Sequence, residues 1–373
     1  MGKPITVCID IRDLKIAKTG ARTYLDEIKA VFEQDQDPRF RFIFLNNRLP
    51  LYTGRNSLLK LIEHVRFFCW KQCILPLKAW LHGADILLCT DFFVPWLRIG
   101  FQTIPVFHDA FFWEYPEHYN RYWRWLFVQS GLAAARKSRF IITPTAYTQQ
   151  TIARLTALPI NTIIPIHEAA KSGLLQTNTP TEWKQLLNHP YILHVGTFEK
   201  RKNLLTLLQA FKQLKTSGKY ADLQLVLVGQ QSPKTNMDGF QELSGLLKDP
   251  SIADAVHCTG YIPDSQLGWF YAHAAVYVFP SVNEGFGIPV LEAMQHKTPV
   301  VIANNSCLPE VAGDAAIAVD PYDSAAFAQA IDHVLSDEAL RDSMIEKGLQ
   351  RAQQFSWQKT CAQLKAVFIR TIN

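Results

Sequence analysis

A chain of 373 residues, 48% hydrophobic and 19% charged, is too long for one ordinary core and too apolar for a disordered one, which predicts a globular protein of two domains. Its 38 Lys and Arg against 33 Asp and Glu leave a formal charge of +5. That mild excess suits an anionic ligand or an anionic membrane face and, with no nucleic-acid motif present, argues against a nucleic-acid reader. The seven cysteines are scattered, Cys69 and Cys73 are spaced too loosely for a CxxC pair, and no Cys/His cluster has zinc spacing. Reduced core thiols in a cytoplasmic protein are expected, Cys8, Cys89 and Cys258 among them.

In chain order, Ile5–Ile9 reads as a buried strand that starts almost at the N-terminus, which predicts no leader peptide. "MGKPIT" fits a myristoylation pattern only formally, because that strand begins inside it. No apolar run is long enough to span a bilayer. "KTGARTYL", 18–25, puts Gly20 in the loop after the strand, with Arg22 opening a helix over 22–34. The D-x-D triplet Asp35-Gln36-Asp37 then lies at a helix end, on the wrong side of the sheet for a ligand, and reads as a solvated turn. A strand follows at 40–45. Residues 58–83 mix aromatics and aliphatics with Lys60, Arg66, Lys71 and Lys78 and hold only one acid, Glu63. Two readings stay open for that segment: an amphipathic helix packed on the sheet, or one lying in an anionic membrane interface.

Strands are predicted at 85–90, 103–107, 139–143 and 161–166, with a helix over 119–137. The polar stretch 171–183, with Gly and Pro and no periodicity, is a linker. A second series of strands reads at 191–196, 223–229, 256–260, 275–280 and 299–303. Helices close the chain at 324–336, 338–353 and 357–370, the last capped by Ser356. Strands alternating with helices mean parallel sheets covered on both faces, and two such series mean two doubly wound, Rossmann-like α/β domains. The expected boundaries are 1–172 and 182–355, with the helix at 356–373 packing back on the first domain. Such sheets bind ligands at the carboxyl ends of their strands, so the two domains are expected to face an interdomain cleft.

The chemistry-bearing motifs do follow strands. Neither GxGxxG after the first strand nor GxxxxGK[ST] is present, which lowers dehydrogenases, kinases and nucleotidases together. "VFHDAFF", 106–112, places His108 and Asp109 at a strand tip. "HVGTFEKRKNL", 194–204, sets Arg201 and Lys202 where a helix opens, against the preference of its dipole for acids. Broken local rules of this kind mark functional sites, and an arginine fork beside a lysine makes a diphosphate clamp. "PSVNEGFGIPVLEAM", 280–294, puts Glu284 and Glu292 on either side of Gly285-Phe286-Gly287 at a strand-to-helix turn, where free amides and the positive dipole end suit an anion. As cleft residues these side chains are expected to be exposed.

Together these stretches resemble family 4 of the retaining glycosyltransferases with the GT-B fold. "NEGFGIPVLEAM" is similar to that family's E-x7-E motif, "GTFEKRKNL" to its phosphate-binding stretch, "HD" at 108–109 to its histidine loop and "TGARTYL" to its glycine loop. "NNSCLPEVAGDAAIAVDP", 304–321, resembles the subset with many GDP-mannose-dependent mannosyltransferases. Where the family has a small residue and a glycine, this chain reads Gln295-His296-Lys297, and Thr23 interrupts the usual Arg-Tyr pair.

The resemblance implies a metal-independent transferase with no cofactor, moving a hexose from a nucleotide sugar, GDP-mannose, onto a glycan or lipid-linked saccharide. In it Arg201 and Lys202 hold the diphosphate, amides near Gly285, Phe286 and Gly287 add to the clamp, and Glu292 takes the ribose. Glu284 orients the sugar, His108 lines its pocket with Asp109 in support, and Gly20 belongs to the glycine loop. A non-catalytic nucleotide-sugar sensor stays open, as does a synthase or phosphorylase on the same fold using another donor. A periplasmic binding protein shares the two-domain architecture, but no leader is expected.

Overall fold

The computed structural model describes residues 3–15, 20–47, 52, 54, 56–118, 121–175, 178–231 and 238–373. Met1 and Gly2 of the myristoylation-like start and the front of the glycine loop, Lys18 and Thr19, lie outside the described residues. The chain divides into two compact units, Met1–Glu168 with Trp357–Asn373, and Ala169–Ser356.

In the first unit β1 (Ile5–Asp10), β2 (Phe40–Leu45), β3 (Ile86–Cys89) and β4 (Gln102–Pro105) form a parallel sheet in the order β2-β1-β3-β4. β5 (Ile141–Thr143) and β6 (Ile163–Pro165) pair in parallel beside it, joined by the Val106–Ile142 bridge. β1 and β3 are apolar almost throughout because a parallel strand covered on both faces has no wet side. The helix Trp357–Ile372 buries Trp357, Leu364 and Phe368 in this unit. Its Lys365 Nζ reaches Asp35 at 2.7 Å and Asp37 at 3.4 Å. The D-x-D triplet is therefore an ion-paired anchor for the C-terminal helix and not the solvated turn its position suggested.

In the second unit β7 (Tyr191–Val195), β8 (Gln224–Val228), β9 (Val256–Gly260), β10 (Val276–Phe279), β11 (Val300–Ala303) and β12 (Ala316–Val319) run in the order β12-β11-β10-β7-β8-β9, all parallel. β12 was not expected: "AIAV" is a short, half-exposed edge strand whose pattern carries little signal. Cys258 is exposed, against expectation, because β9 is the opposite edge. Both sheets reverse their winding at one place, β1/β3 in the first unit and β7/β10 in the second. Such switch points open a crevice at the carboxyl ends of the strands.

At Gly229 (φ +149°) a Cβ would lie 1.8 Å from the Gly196 carbonyl, so the loops after β7 and β8 approach too closely for any side chain. Lys297 shows the opposite case. It follows the C-cap of the helix Ile288–Gln295 at φ +61°, the left-handed position that usually takes glycine. Lys297→Gly is expected to stabilise the second unit by about 1 kcal/mol, read as a higher urea midpoint at constant slope.

Candidate active site

The switch point of the second unit gathers the basic pair and the first glutamate. After β7 the chain runs through a 3-10 turn, Lys200–Lys202, then Asn203 at φ +53°, and only then enters the helix Leu204–Thr216. Arg201 and Lys202 thus precede the helix instead of opening it, and the expected conflict with its dipole does not arise. Asn203 is held there by donating from Nδ2 to the carbonyls of Pro280, at 3.2 Å, and Pro321. The Arg201 carbonyl accepts from Val282 N–H at 2.8 Å and from Ser281 Oγ at 2.9 Å, which ties the loop after β7 to the loop after β10.

Across that seam Glu284 takes both cations. Arg201 Nη1 lies 2.8 Å from its Oε2, Lys202 Nζ lies 2.6 Å from Oε1, and Ser281 Oγ, which shares its one proton between this carboxylate and the Arg201 carbonyl, lies 2.7 Å from Oε1. Arg201 is aimed by a second carboxylate, Glu199, 2.8 Å from its Nε. Glu284 and Lys202 are 8% and 7% exposed, so they are buried where exposed cleft residues were expected. Burial by itself would raise the Glu284 pKa, but Arg201 and Lys202 outweigh it and hold the carboxyl down to about 2. On the lysine side burial dominates and pulls the ammonium below its usual range, with Glu284 opposing. A buried carboxylate thus keeps two cations in place at a point where a diphosphate could compete for them.

Gly287 turns the chain into the next helix at φ +95°, with space for a Cβ closed by Leu308 at 2.9 Å. Phe286 is buried, its ring edge-on to Phe355 at 5.9 Å, so its side chain is structural and the loop can offer only its backbone. Glu292, one turn into the helix and 5% exposed, stands apart from the ion triad and accepts from Tyr271 Oη at 2.8 Å. Burial, only partly opposed by the Tyr271 hydrogen bond, pushes its pKa up to about 7.

In the first unit, His108 sits beyond β4 with Nδ1 3.1 Å from Glu168 Oε1 and Nε2 3.2 Å from the Thr90 carbonyl. Both nitrogens face acceptors, so the doubly protonated ring satisfies both. Burial alone would lower the His108 pKa, but the Glu168 carboxylate outweighs it and raises the value. Asp109 instead accepts from Phe111 N–H at 3.0 Å. The carboxylate that hydrogen-bonds to His108 is therefore Glu168. Gly20 is the first residue of the helix Gly20–Glu33 rather than a loop residue, and Tyr24 of that helix packs edge-on against His108 at 4.8 Å.

Sequence reasoning passed over several partners. Glu168 follows β6, so the rule that ligands gather after strands was enough to flag it. Tyr271 carries no such signal, since nothing local distinguishes a tyrosine inside a helix. His194, fully buried in β7, donates from Nδ1 to Val278 O at 3.0 Å and has no partner for Nε2 among the described residues. Burial holds its pKa down to about 4, so the ring is neutral.

Comparison with known proteins identifies the family. A model described as "Glycosyl transferases group 1" matches residues 177–351. The O-antigen chain mannosyltransferase B of Escherichia coli is 32% identical over 375 residues, 97% of this chain and 91% of that protein. Sucrose-phosphate synthase from Thermosynechococcus elongatus aligns with a TM-score of 0.72 at 21% identity over 98% of each chain. HepE of Anabaena, solved with UDP-glucose, aligns with a TM-score of 0.70 at 15% identity over 98% of this chain and 100% of its own. At those identities the structures speak for fold alone, and the fold is GT-B. The near-full-length relative carries the rest: the chain belongs to the group 1 glycosyl transferases and is a glycosyltransferase.

Proposed function

We propose that the protein is a retaining, metal-independent mannosyltransferase that moves mannose from GDP-mannose onto a glycan or lipid-linked saccharide. It would work in the cytoplasm, where its thiols stay reduced. The observation that carries the reading is the Arg201–Glu284–Lys202 triad at the β7/β10 switch point. Two cations held by an exchangeable carboxylate suit a diphosphate that gains charge as its bond to the sugar breaks. In that step the anomeric carbon–oxygen bond breaks with its electron pair going to the phosphate. The acceptor hydroxyl bonds to the carbon on the same face, and its proton passes to the leaving phosphate. Glu284 would turn from the cations to the sugar hydroxyls, and Glu292 would take the ribose.

Mannose is favoured by the likeness of residues 304–321 to mannose-transferring enzymes and by the name of the 32% identical relative. Thermal stabilisation by a panel of nucleotide sugars tests the donor, since a ligand bound only to the folded state raises its stability by mass action. GDP and GDP-mannose are expected to raise Tm more than UDP or UDP-glucose. A clear preference for UDP or dTDP sugars would overturn the donor assignment and leave the fold and the triad untouched.

A further inference from the structure

We propose that His194 is a positioning residue of the donor site, its Nε2 being the second seat of the Lys202 ammonium once Glu284 turns to the sugar. His194 opens the stretch "HVGTFEKRKNL", whose Arg201 and Lys202 form the cationic pair, yet no role has fallen to it. The ladder between β7 and β10 ends with the Tyr277–Leu193 pair, and beyond it the Val278 carbonyl accepts from the His194 ring at 3.0 Å. A carbonyl can only accept, so Nδ1 carries the proton of this neutral ring and Nε2 is left with a bare lone pair. Phe279 and Tyr277 stack on the ring at 5.6 and 6.4 Å, which fixes its plane. A buried acceptor held this firmly, with no donor among the described residues, is a site waiting for an N–H.

Lys202 is the donor at hand. A Cβ built on Gly196 would lie 3.3 Å from His194 Nε2 and 3.6 Å from Lys202 Cε, so both side chains border one small space. Gly196 has no left-handed φ that would call for glycine. What its missing side chain does is keep that space open. Phe279 links the two groups as well, since the Lys202 ammonium sits 4.7 Å from the centre of the ring that stacks on His194. Of the three N–H donors on Lys202 Nζ, one reaches Glu284 Oε1 at 2.6 Å, its one hydrogen-bond acceptor among the described residues. The nearby ammonium also opposes protonation of His194, which keeps the lone pair free.

The need for a second seat follows from burial. Burial already pulls the Lys202 pKa below its usual range, and Glu284 is the main group opposing it. When Glu284 leaves for the sugar, the ammonium stays charged and in place only if other acceptors take its N–H groups. The diphosphate supplies one and His194 Nε2 the second. A neutral imidazole does this without cancelling the positive charge that the diphosphate meets, whereas a carboxylate in the same place would cancel it. The seat itself is a property of the free protein; its use during transfer rests on the proposed donor role of Lys202 and Glu284. Two substitutions separate positioning from packing. Asn can still donate to Val278 O but has no atom where Nε2 lies, while Gln can place an oxygen there and leaves Val278 O without its donor. GDP-mannose affinity by calorimetry should fall about tenfold in His194→Asn, the scale of one hydrogen bond to a charged group, and largely recover in His194→Gln. If His194 only holds Val278, the order reverses, and that order would overturn the proposal.

Nitrogen NMR of the full chain labelled in histidine reads the seat directly. The Nε2 resonance of His194, identified by its loss in His194→Asn, is expected in the range of a free acceptor without ligand. GDP-mannose should move it upfield, toward a hydrogen-bonded nitrogen, and leave Nδ1 where it is. In Glu284→Ala the same movement should be present with no nucleotide added, because Lys202 has lost its carboxylate. Lys202→Met should abolish both movements. The GDP-mannose arm needs no change at residue 284, so it stands even if Glu284→Ala does not fold. A resonance that is hydrogen-bonded from the start and indifferent to Lys202→Met would assign a water to Nε2 and overturn the proposal. So would a free-acceptor resonance that stays unmoved in folded Glu284→Ala. Movement in Glu284→Ala but none with GDP-mannose would keep the seat and place the failure in the donor reading.

Discussion

Glu284→Ala is expected to lower kcat by about 10²–10³-fold while nucleoside diphosphate binding is kept or tightened. The fold-change is the scale for losing one preorganised electrostatic group that acts on the reacting centre. The split follows from the triad. Without a ligand, Glu284 neutralises Arg201 and Lys202 at 2.8 and 2.6 Å. Removing it leaves both cations for the diphosphate, so binding should not suffer, but in the proposed role the sugar would lose the carboxylate that orients it. Stability should fall, contrary to what exposed cleft residues would give. The Glu284 carboxyl lies near 2 in the folded chain against an ordinary 4.5. Its contribution is present above pH about 4.5 and lost as the pH falls toward 2, up to roughly 3 kcal/mol by linkage. Desolvation of Lys202 offsets part of that amount. GDP should therefore raise the Tm of Glu284→Ala more than that of the unchanged protein. If Glu284→Ala transfers mannose at a near-normal rate, or loses GDP binding together with kcat, Glu284 does not hold the sugar.

The parts of this site that were legible in sequence are those that a single strand-to-helix turn must carry. Glu284, the two glycines and Glu292 share one such turn, and Arg201 with Lys202 another. Parallel β-α winding places both at the carboxyl end of one sheet. Their buried state was not legible, because it depends on the β7/β10 adjacency that brings two loops 80 residues apart into contact. Partner choice was hidden for the same reason. Glu168 and Tyr271 are distant in sequence from His108 and Glu292, and only the fold selects them over nearer acids such as Asp109. Residues 58–83 show a further limit. Composition displayed an apolar, basic segment, but which cations face outward is set by a π turn, Trp70–Ile74, and no periodicity of 3.6 predicts that Lys71 points inward to Asp10 and Asp91.

Donor affinity is expected to fall about tenfold between pH 8 and pH 6, and Glu292→Gln should flatten that dependence. Burial pushes the Glu292 pKa up to about 7, outweighing its hydrogen bond from Tyr271 and the nearby Lys171. A carboxyl raised from 4.5 to about 7 binds more protons folded than unfolded, so its contribution to stability is full below pH 4.5 and is lost as the pH rises through 7. Ribose hydroxyls donate more strongly to the carboxylate than to the neutral acid, so binding favours loss of the proton below pH 7. With one group at about 7, the ionised fraction is about one-tenth at pH 6 and nearly complete at pH 8, which sets the tenfold figure. A nucleotide sugar is the right probe, since its diphosphate diester does not titrate in this range whereas free GDP does. Calorimetry in buffers of different ionisation enthalpy should detect one proton released per donor bound at pH 6, and none for Glu292→Gln. A pH dependence that survives in Glu292→Gln would move the ribose contact away from Glu292.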